Sequence, residues 1–165
     1  MRFPVTQLAA IVATALAAPT LAHEPPAPAA PVQSALPAAA ADAAAAVDAF
    51  HAALDRGDAQ AALALLAPDA LIFEEGGAER TRDEYAAEHL AADVAFSKAV
   101  PSKLTRRTGG SDGTTAWIAS EGRTTGSWKG KAVDRITTET MVLRRSSKGW
   151  AIVHIHWSSA AASSN

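Results

Sequence analysis

The sequence lacks cysteine and has few aromatic residues, and each shortage excludes a class of protein. Without cysteine among its 165 residues, the chain forms no disulfide, thiolate zinc site, iron–sulfur cluster or cysteine nucleophile. Lysine and arginine number 15 against 17 aspartates and glutamates, so the basic excess typical of nucleic-acid-binding proteins is missing. Aromatic residues make up only 5%, whereas alanine fills 42 positions. The length allows one domain of ordinary size.

The N-terminal part of the chain has the composition of an export signal followed by a tether. Residues 1–22 start with a positive charge, continue through a short apolar run and end in small residues, which predicts a secretory signal peptide cleaved after Ala22. An uncleaved anchor is the alternative. Residues 23–41 contain five prolines and no aromatic residue, which predicts a disordered linker. We therefore expect a periplasmic or secreted protein without stable membrane insertion, with a domain at 42–158 and a flexible tail at 159–165.

The first half of the predicted domain carries three helices. Apolar residues recur at helical spacing after Asp42, which is expected to cap the first helix, and Gly57 is expected to end it. Asp58 then caps a second, short helix. The segment Thr81–Glu84 is a capping box, which predicts a third helix running to about Lys98.

The second half of the predicted domain alternates apolar and polar residues, as strands do. A brief strand at 70–73 precedes the third helix, and four longer strands follow it: 103–107, 114–123, 132–145 and 150–157. Helices followed by an antiparallel meander predict an α+β fold in which three N-terminal helices pack on a curved antiparallel sheet.

The predicted third helix carries polar side chains within its apolar face. At 100° per residue Tyr85, His89, Asp93 and Phe96 share one broad arc. His89 and Asp93 lie four residues apart, so they can hydrogen-bond each other, and burying them costs free energy unless they find partners. We interpret the pair as an acid–base site or a set of metal ligands. A satisfied structural pair at the helix edge is the alternative.

The last predicted strand has no obvious solvent-facing row. Alternation puts His154 and His156 on one face, about 7 Å apart, and Ile155 and Trp157 on the other. Two imidazoles at that spacing can share a ligand or a metal ion, or they can be structural histidines in a polar patch. Because both faces are apolar, we expect one to meet the helices and the other to meet a partner subunit.

Two further residues are candidates for the lining of a cavity. Glu139 stands in the middle of a β-rich run, so it faces either solvent or a polar cavity beside the last strand. Trp117 alternates with small residues and is expected in the core or in a pocket wall. The sequence contains no Walker loop, Rossmann glycine pattern, serine-centred elbow or HExxH motif.

Several segments together resemble a known superfamily. They are Val47–His51, Gly57-Asp58, Ala67–Ala70, Glu74–Arg80 and Gly149–Ser158. The chain resembles the nuclear transport factor 2-like superfamily, in particular its SnoaL-like and ketosteroid-isomerase-like branch. The resemblance implies a cone-shaped α+β barrel around a deep pocket and a homodimer formed through the outer face of the sheet. It also implies that the candidate residues converge on one cavity: His89, Asp93, Glu139, His154 and His156.

Three functions are compatible with these observations. The first is an exported small-ligand-binding domain, with or without isomerase- or lyase-like acid–base activity, and with no cofactor. Here His89 shuttles protons and Asp93 orients it, and the remaining candidates contact the ligand: Tyr85, Phe96, Trp117, Glu139, His154 and His156. The second is a periplasmic Zn or Cu protein with three histidine ligands: His89, His154 and His156. The third is a non-catalytic dimerisation module.

Overall fold

The computed structural model describes residues 36–163. The predicted signal peptide at 1–22 lies outside the described residues, as do residues 23–35 of the predicted linker and the last two residues of the chain. The linker prediction is wrong at its C-terminal end, because a 3₁₀ turn (Ala38–Ala40) leads directly into the first helix. Ala40 is fully buried, since its methyl group is small enough to pack against the domain.

Four α-helices follow the chain order that the sequence indicates, with one difference. They are α1 (Ala41–Arg56), α2 (Ala59–Leu65), α3 (Arg82–Glu88) and α4 (Leu90–Ala99). The predicted third helix is therefore two helices, separated at His89. None of the helices in the described part of the chain is both long and apolar enough to span a membrane.

Local capping signals place most of the helix ends. Gly57 adopts a φ of 80°, the left-handed conformation that ends α1. Asp58 caps α2 by accepting a hydrogen bond from the Ala61 amide at 3.0 Å, and the Thr81 hydroxyl accepts one from the Glu84 amide at 3.1 Å. Asp42 was expected to cap α1 but lies within its first turn, where its charge favours the helix dipole.

Six strands form one curved, unclosed sheet. They are β1 (Leu66–Glu74), β2 (Gly77–Glu79), β3 (Ser102–Ser111), β4 (Thr115–Trp128), β5 (Lys131–Ser146) and β6 (Gly149–Ala161). Their order across the sheet is β2-β1-β6-β5-β4-β3, and all neighbours are antiparallel except β1 and β6. The α+β prediction is confirmed. The short hairpin strand β2 was not predicted, and β6 continues three residues beyond the predicted end of the domain.

The core lies between the helices and the inner face of the sheet. One row of inner-face side chains crosses four strands and is fully buried: Ile72, Ile155, Met141 and Ile118. Val47, Phe50 and Leu54 of α1 pack into the same cluster. Burial of each large apolar side chain contributes about 1.5–3 kcal/mol, so this row fixes which face of every strand points inward.

A β-bulge in β6 overturns the simple alternation expected for this strand. Val142 of β5 pairs with His154, whereas Leu143 pairs with Ile152, so Val153 is an extra residue. Ile152 and Ile155 are consequently both buried on the inner face. His154 and His156 are on the outer face, because the extra residue shifts the register by one.

Candidate functional site

The concave face of the sheet, together with α1 and α4, encloses a cavity of about 830 Å³. Apolar side chains form part of its wall: Leu54, Phe96, Val100 and Trp128. The rings of Phe96 and Trp128 meet edge to face with centroids 5.5 Å apart. A cavity of this volume accommodates a small organic molecule.

One row of chemically active side chains crosses five strands of the inner face. In strand order, the row is Glu74, Trp157, Glu139, Ser120 and Arg107, and each residue pairs in register with the next. All five line the cavity. Because neighbouring strands are about 4.8 Å apart, Glu74 and Glu139 are separated by about 10 Å along this row. We call these five residues the polar row; it lies next to the buried apolar row described above.

Glu139 is held in the middle of the polar row by two donors. The His51 Nε2 atom of α1 lies 2.7 Å from Glu139 Oε2, and the indole N–H of Trp157 donates to the same oxygen at 2.8 Å. Only 9% of the Glu139 side chain is exposed. The stacked rings of Phe50 and Trp157, 6.3 Å apart, cover this group from the core side.

The contacts of Glu139 favour the charged forms of both partners. Burial alone would raise the pKa of Glu139, but the hydrogen bonds and charge of His51 outweigh burial and hold that pKa below its ordinary value. Burial would likewise lower the pKa of His51, and the contact with Glu139 reverses the shift and raises it. The contact therefore favours the imidazolium form of His51 and the carboxylate form of Glu139.

Arg107 brings a fixed positive charge to the other end of the polar row. Its Nη1 donates to Asp48 of α1 at 2.5 Å and its Nε donates to the Ser120 hydroxyl at 3.2 Å. Arg107 is only 8% exposed. Arginine side chains are mostly solvent-exposed, and this one is buried because its strand turns it inward over Ser120.

The opposite end of the cavity is acidic. The Tyr85 hydroxyl is buried and donates to Asp93 Oδ2 at 2.8 Å. Burial raises the pKa of Asp93, although the bond from Tyr85 opposes the shift, and the pKa of Tyr85 is raised as well. Burial and then the neighbouring charges of Asp93 and Glu75 raise the pKa of Glu74 to about 7. Glu74 is therefore a carboxylate whose protonation changes close to neutral pH.

His89 faces a different partner from the one expected. Its Nδ1 contacts a carboxylate oxygen of Glu79, a buried residue of β2, rather than Asp93. Glu88 adds a third donor atom, and the three donors lie within 4.8 Å of one another. Nitrogen and carboxylate ligands of this kind suit zinc or another divalent ion, although Glu88 and His89 are exposed.

The structure brings four of the sequence-predicted site residues to the cavity. His89, Asp93, Phe96 and Glu139 line it. Tyr85 is not a wall residue; it lies buried behind Asp93 and supports it through the hydrogen bond described above.

Three predicted site residues do not reach the cavity. Trp117 is 46% exposed on the outer face of the sheet and belongs neither to the core nor to the wall of this cavity; it borders a separate, shallower recess. His154 and His156 also lie on the outer face, where their rings contact Phe73. The three-histidine metal site is therefore wrong, because the bulge at Val153 points both β6 imidazoles away from His89.

Sequence reasoning did not select His51, Glu74 or Arg107 as site residues. His51 had a usable signal, since it lies four residues after Val47 on the apolar face of α1, as His89 does on its own helix. Glu74 is two residues after Ile72, so both side chains point to the same face of the strand. However, Glu74 lies next to a glycine turn, a position at which side chains are usually solvent-exposed. Arg107 gave no signal, because only its pairing with Ser120 and Asp48 shows that it is buried.

The family comparison agrees with this architecture. The family model of the SnoaL-like domain matches residues 43–162. The chain belongs to the SnoaL-like domain family, within the nuclear transport factor 2-like fold. No curated protein matches the chain.

Solved structures extend the comparison. The "putative ketosteroid isomerase" of Shewanella frigidimarina is 35% identical, with a TM-score of 0.70, and the alignment covers 75% of this chain and 100% of that one. A "putative dehydratase" of the nuclear transport factor 2-like family from Streptomyces avermitilis is 21% identical, with a TM-score of 0.65 and coverage of 75% and 97%. The association domain of C. elegans CaMKII is 18% identical, with a TM-score of 0.59 and coverage of 72% and 93%. The last two share the fold alone.

Proposed function

We propose that the cavity binds an apolar carbonyl compound and that the chain moves a proton from the carbon beside the carbonyl, as isomerases and lyases do. The polar row carries this proposal, because it aligns Glu74, whose pKa is about 7, with Arg107 and with the Glu139 carboxylate that contacts His51, inside a partly apolar cavity. The names of the Shewanella and Streptomyces proteins support the same class of reaction. The chemistry requires no cofactor.

Glu74 is the proposed general base. A base acts best when its pKa lies near the working pH, and burial together with Asp93 brings Glu74 into that range. The proton passes from the substrate carbon to a Glu74 oxygen, and the electron pair of the broken C–H bond moves onto the carbonyl oxygen. Asp93 is a positioning residue in this scheme, since it raises the pKa of Glu74. We assign the base to Glu74 rather than to His89.

His51 is the proposed stabiliser of the enolate, and Arg107, two strands beyond Glu139 in the polar row, contributes positive charge at longer range. Glu139 raises the pKa of His51 and so favours its protonated form, and Arg107 carries a permanent charge at the end of the polar row. Positive charge that is fixed before the reaction stabilises a developing oxyanion more effectively than water, which must reorient. An isomerase would return the proton to a different carbon, and a lyase would expel a leaving group.

Deuterium exchange tests this proposal without knowledge of the natural substrate. β-Tetralone is an apolar ketone that exchanges its benzylic protons when a base removes them, so mass spectrometry of the ketone in D₂O reports proton abstraction. We expect the wild-type protein to accelerate exchange well above the buffer rate, with a rise as pH passes through about 7. Exchange at the buffer rate, at every pH and at protein concentrations that bind the ketone, would contradict the catalytic proposal.

We also propose that two copies of the chain pair through the outer face of the sheet. Large apolar side chains are exposed there, including Phe73, Trp117 and Ile136, and water-facing apolar patches of this kind are typical of interfaces. Some structural neighbours are association domains, which supports the proposal. The residue composition of 1–22 supports export as a further proposal.

Sedimentation of charge variants tests the dimer. Trp117→Lys puts a charge in the middle of the proposed interface, so we expect it to convert a wild-type dimer into a monomer at micromolar concentration. Leu104→Lys is the matched control, because Leu104 is 49% exposed but lines the cavity on the opposite face. A monomeric wild type, or equal dissociation by both variants, would refute this interface.

A further inference from the structure

Arg135 brings a positive charge to a part of the cavity that the polar row does not reach. Glu139, Thr137 and Arg135 are alternate residues on the inner face of β5, and all three line the cavity. Glu139 and Arg135 are four residues apart, which is about 13 Å along an extended strand. The Arg135 side chain is half-buried, so a ligand in the cavity can reach its exposed part.

Two hydrogen bonds to one residue fix the orientation of the Arg135 guanidinium. Its Nε donates to the Ser159 hydroxyl at 2.8 Å, and its Nη2 donates to the Ser159 carbonyl at 3.2 Å. Within residues 36–163 the other N–H groups of Arg135 have no acceptor, and they lie on the edge formed by Nη1 and the second hydrogen of Nη2. Two parallel N–H groups of this kind match the two oxygens of a carboxylate.

The charge of Arg135 is not balanced by a carboxylate. In the described part of the chain, none of the ion pairs includes Arg135. Its neighbour Asp134 points to the opposite face of the strand, where it pairs with Arg123 at 2.7 Å. Arg107, the other arginine in the cavity wall, is paired with Asp48 at 2.5 Å. Of the two, Arg135 is therefore the one whose charge remains available to an anionic ligand.

Small side chains leave the path between the polar row and Arg135 open. Ser159, Thr137 and Gly122 pair in register across three strands, and all of them line the cavity. A Cβ atom added at Gly122 would lie 2.8 Å from Thr137 Oγ1, so glycine keeps the floor of the cavity shallow here. A ligand that lies against Glu139 can therefore extend along β5 as far as Arg135.

The distribution of charge would orient an acidic ligand. Glu74 and Asp93 form the acidic end of the cavity, and Glu74 is separated from Arg135 by two strands and by two steps along the inner face. Lys129 also lines the cavity, with its ammonium 5.3 Å from the centre of the Trp128 ring. A carboxylate is repelled by the acidic end and attracted to Arg135, so the uncharged part of the ligand is directed towards Glu74.

We propose that Arg135 is a recognition site for a carboxylate group, so that the ligand of the cavity is an organic acid with an apolar body. This inference rests on the proposed function, in that it assumes a small organic molecule in the cavity. It adds the substrate class: the carbonyl compound carries a carboxylate at the end remote from the carbon that Glu74 attacks.

Calorimetric titration with two matched naphthalenes tests the site. 2-Naphthoate carries a carboxylate, and 2-naphthamide has nearly the same shape without the charge. We expect the wild-type protein to bind 2-naphthoate about tenfold more tightly than 2-naphthamide, the factor that a hydrogen bond between charged groups supplies. The preference should decrease as salt is added, because Arg135 is only half-buried and its charge is partly screened.

Two variants separate recognition by Arg135 from general attraction of anions. Arg135→Gln removes the charge and the paired donors, so the preference for 2-naphthoate should fall to about twofold or less. The affinity for 2-naphthamide should stay within about twofold of wild type, which shows that the cavity is intact. Arg106→Gln is the control, because it removes the same charge from an exposed side chain that does not line the cavity. It should keep the full preference.

The possible outcomes are distinguishable. Equal binding of the two compounds to the wild type would overturn the carboxylate site and leave the binding function intact. A preference that survives in Arg135→Gln, or that is lost equally in Arg106→Gln, would overturn the assignment to Arg135. An equal loss of affinity for both compounds in Arg135→Gln would reduce Arg135 to a structural link to Ser159 and overturn its role in recognition. Failure of both compounds to bind the wild type would overturn the proposed function together with this inference.

Discussion

Replacing Glu139 with alanine is expected to lower the free energy of unfolding by about 2 kcal/mol, a figure reduced for the partial exposure of His51. The substitution leaves two donors without their acceptor, the imidazolium of His51 and the indole N–H of Trp157. Removing the buried member of a charged pair costs more than the pair itself contributes, because its donors lose their acceptor, although solvent screens part of the charge left on His51. Chemical denaturation followed by tryptophan fluorescence measures the loss.

The pH dependence of this loss follows from the directions of the two pKa shifts. The pKa of Glu139 is lowered from 4.5 on folding, so its stabilisation is present above pH 4.5 and is lost as pH falls through the folded value. The pKa of His51 is raised from 6.5, so its stabilisation is present below pH 6.5 and is lost as pH rises through the folded value. The difference between wild type and Glu139→Ala should therefore be largest between pH 4.5 and 6.5.

The exposed residue Glu121 provides a control for this measurement. Its carboxylate is 3.9 Å from Arg106 at the surface, so Glu121→Ala should change stability by less than about 0.5 kcal/mol. If Glu139→Ala and Glu121→Ala unfold at the same denaturant concentration, the buried pair is not a stabilising feature of the fold.

Replacing Glu74 with glutamine is expected to reduce the rate of β-tetralone exchange by about 10²- to 10⁴-fold. Glutamine has nearly the same shape but cannot accept the proton. The pH profile is a second signature, because the rise in exchange near pH 7 belongs to Glu74 and should disappear in the variant. Glu88→Gln is the control, since Glu88 is exposed and lies outside the cavity wall. A Glu74→Gln protein with undiminished exchange would exclude Glu74 as the base.

The free energy of unfolding of Glu74→Gln shows whether this variant is folded. The same measurement tests the raised pKa of Glu74. A carboxyl whose folded pKa is raised to about 7 is destabilising where it is ionised, so the penalty grows as pH rises from 4.5 and is complete above about 7. Glu74→Gln removes the penalty and should be more stable than wild type by about 1 kcal/mol above pH 7, a figure reduced for solvent screening at this half-buried position. At pH 4 the two proteins should unfold alike.

Local signals in the sequence were sufficient for the elements of the fold. Gly57, Asp58 and Thr81 act on the backbone of their immediate neighbours, so their identity alone predicts helix ends. Alternation likewise predicted the four long strands. The hairpin strand β2 escaped prediction because its three residues are stabilised by pairing with β1 rather than by their own pattern.

The candidate site was only partly predictable, because it depends on register between distant strands. Glu139 belongs to the site because it pairs in register with both Trp157 and Ser120. The extra residue Val153 determines that Trp157, rather than His156, faces the cavity. A bulge at this position cannot be predicted from any local property of valine. His51 could be assigned to the site only with the knowledge that Glu139 of β5 lies opposite α1.

The ionisation state of His51 tests the central claim most directly, namely that the buried carboxylate of Glu139 stabilises the imidazolium form of His51 in the wall of the cavity. Nitrogen-15 NMR of the imidazole resolves its pKa in wild type and in Glu139→Gln. We predict a wild-type pKa above 6.5, because Glu139 outweighs burial, and a pKa below 6.5 in the variant, where burial acts with little opposition. The same His51 pKa in both proteins would contradict the account.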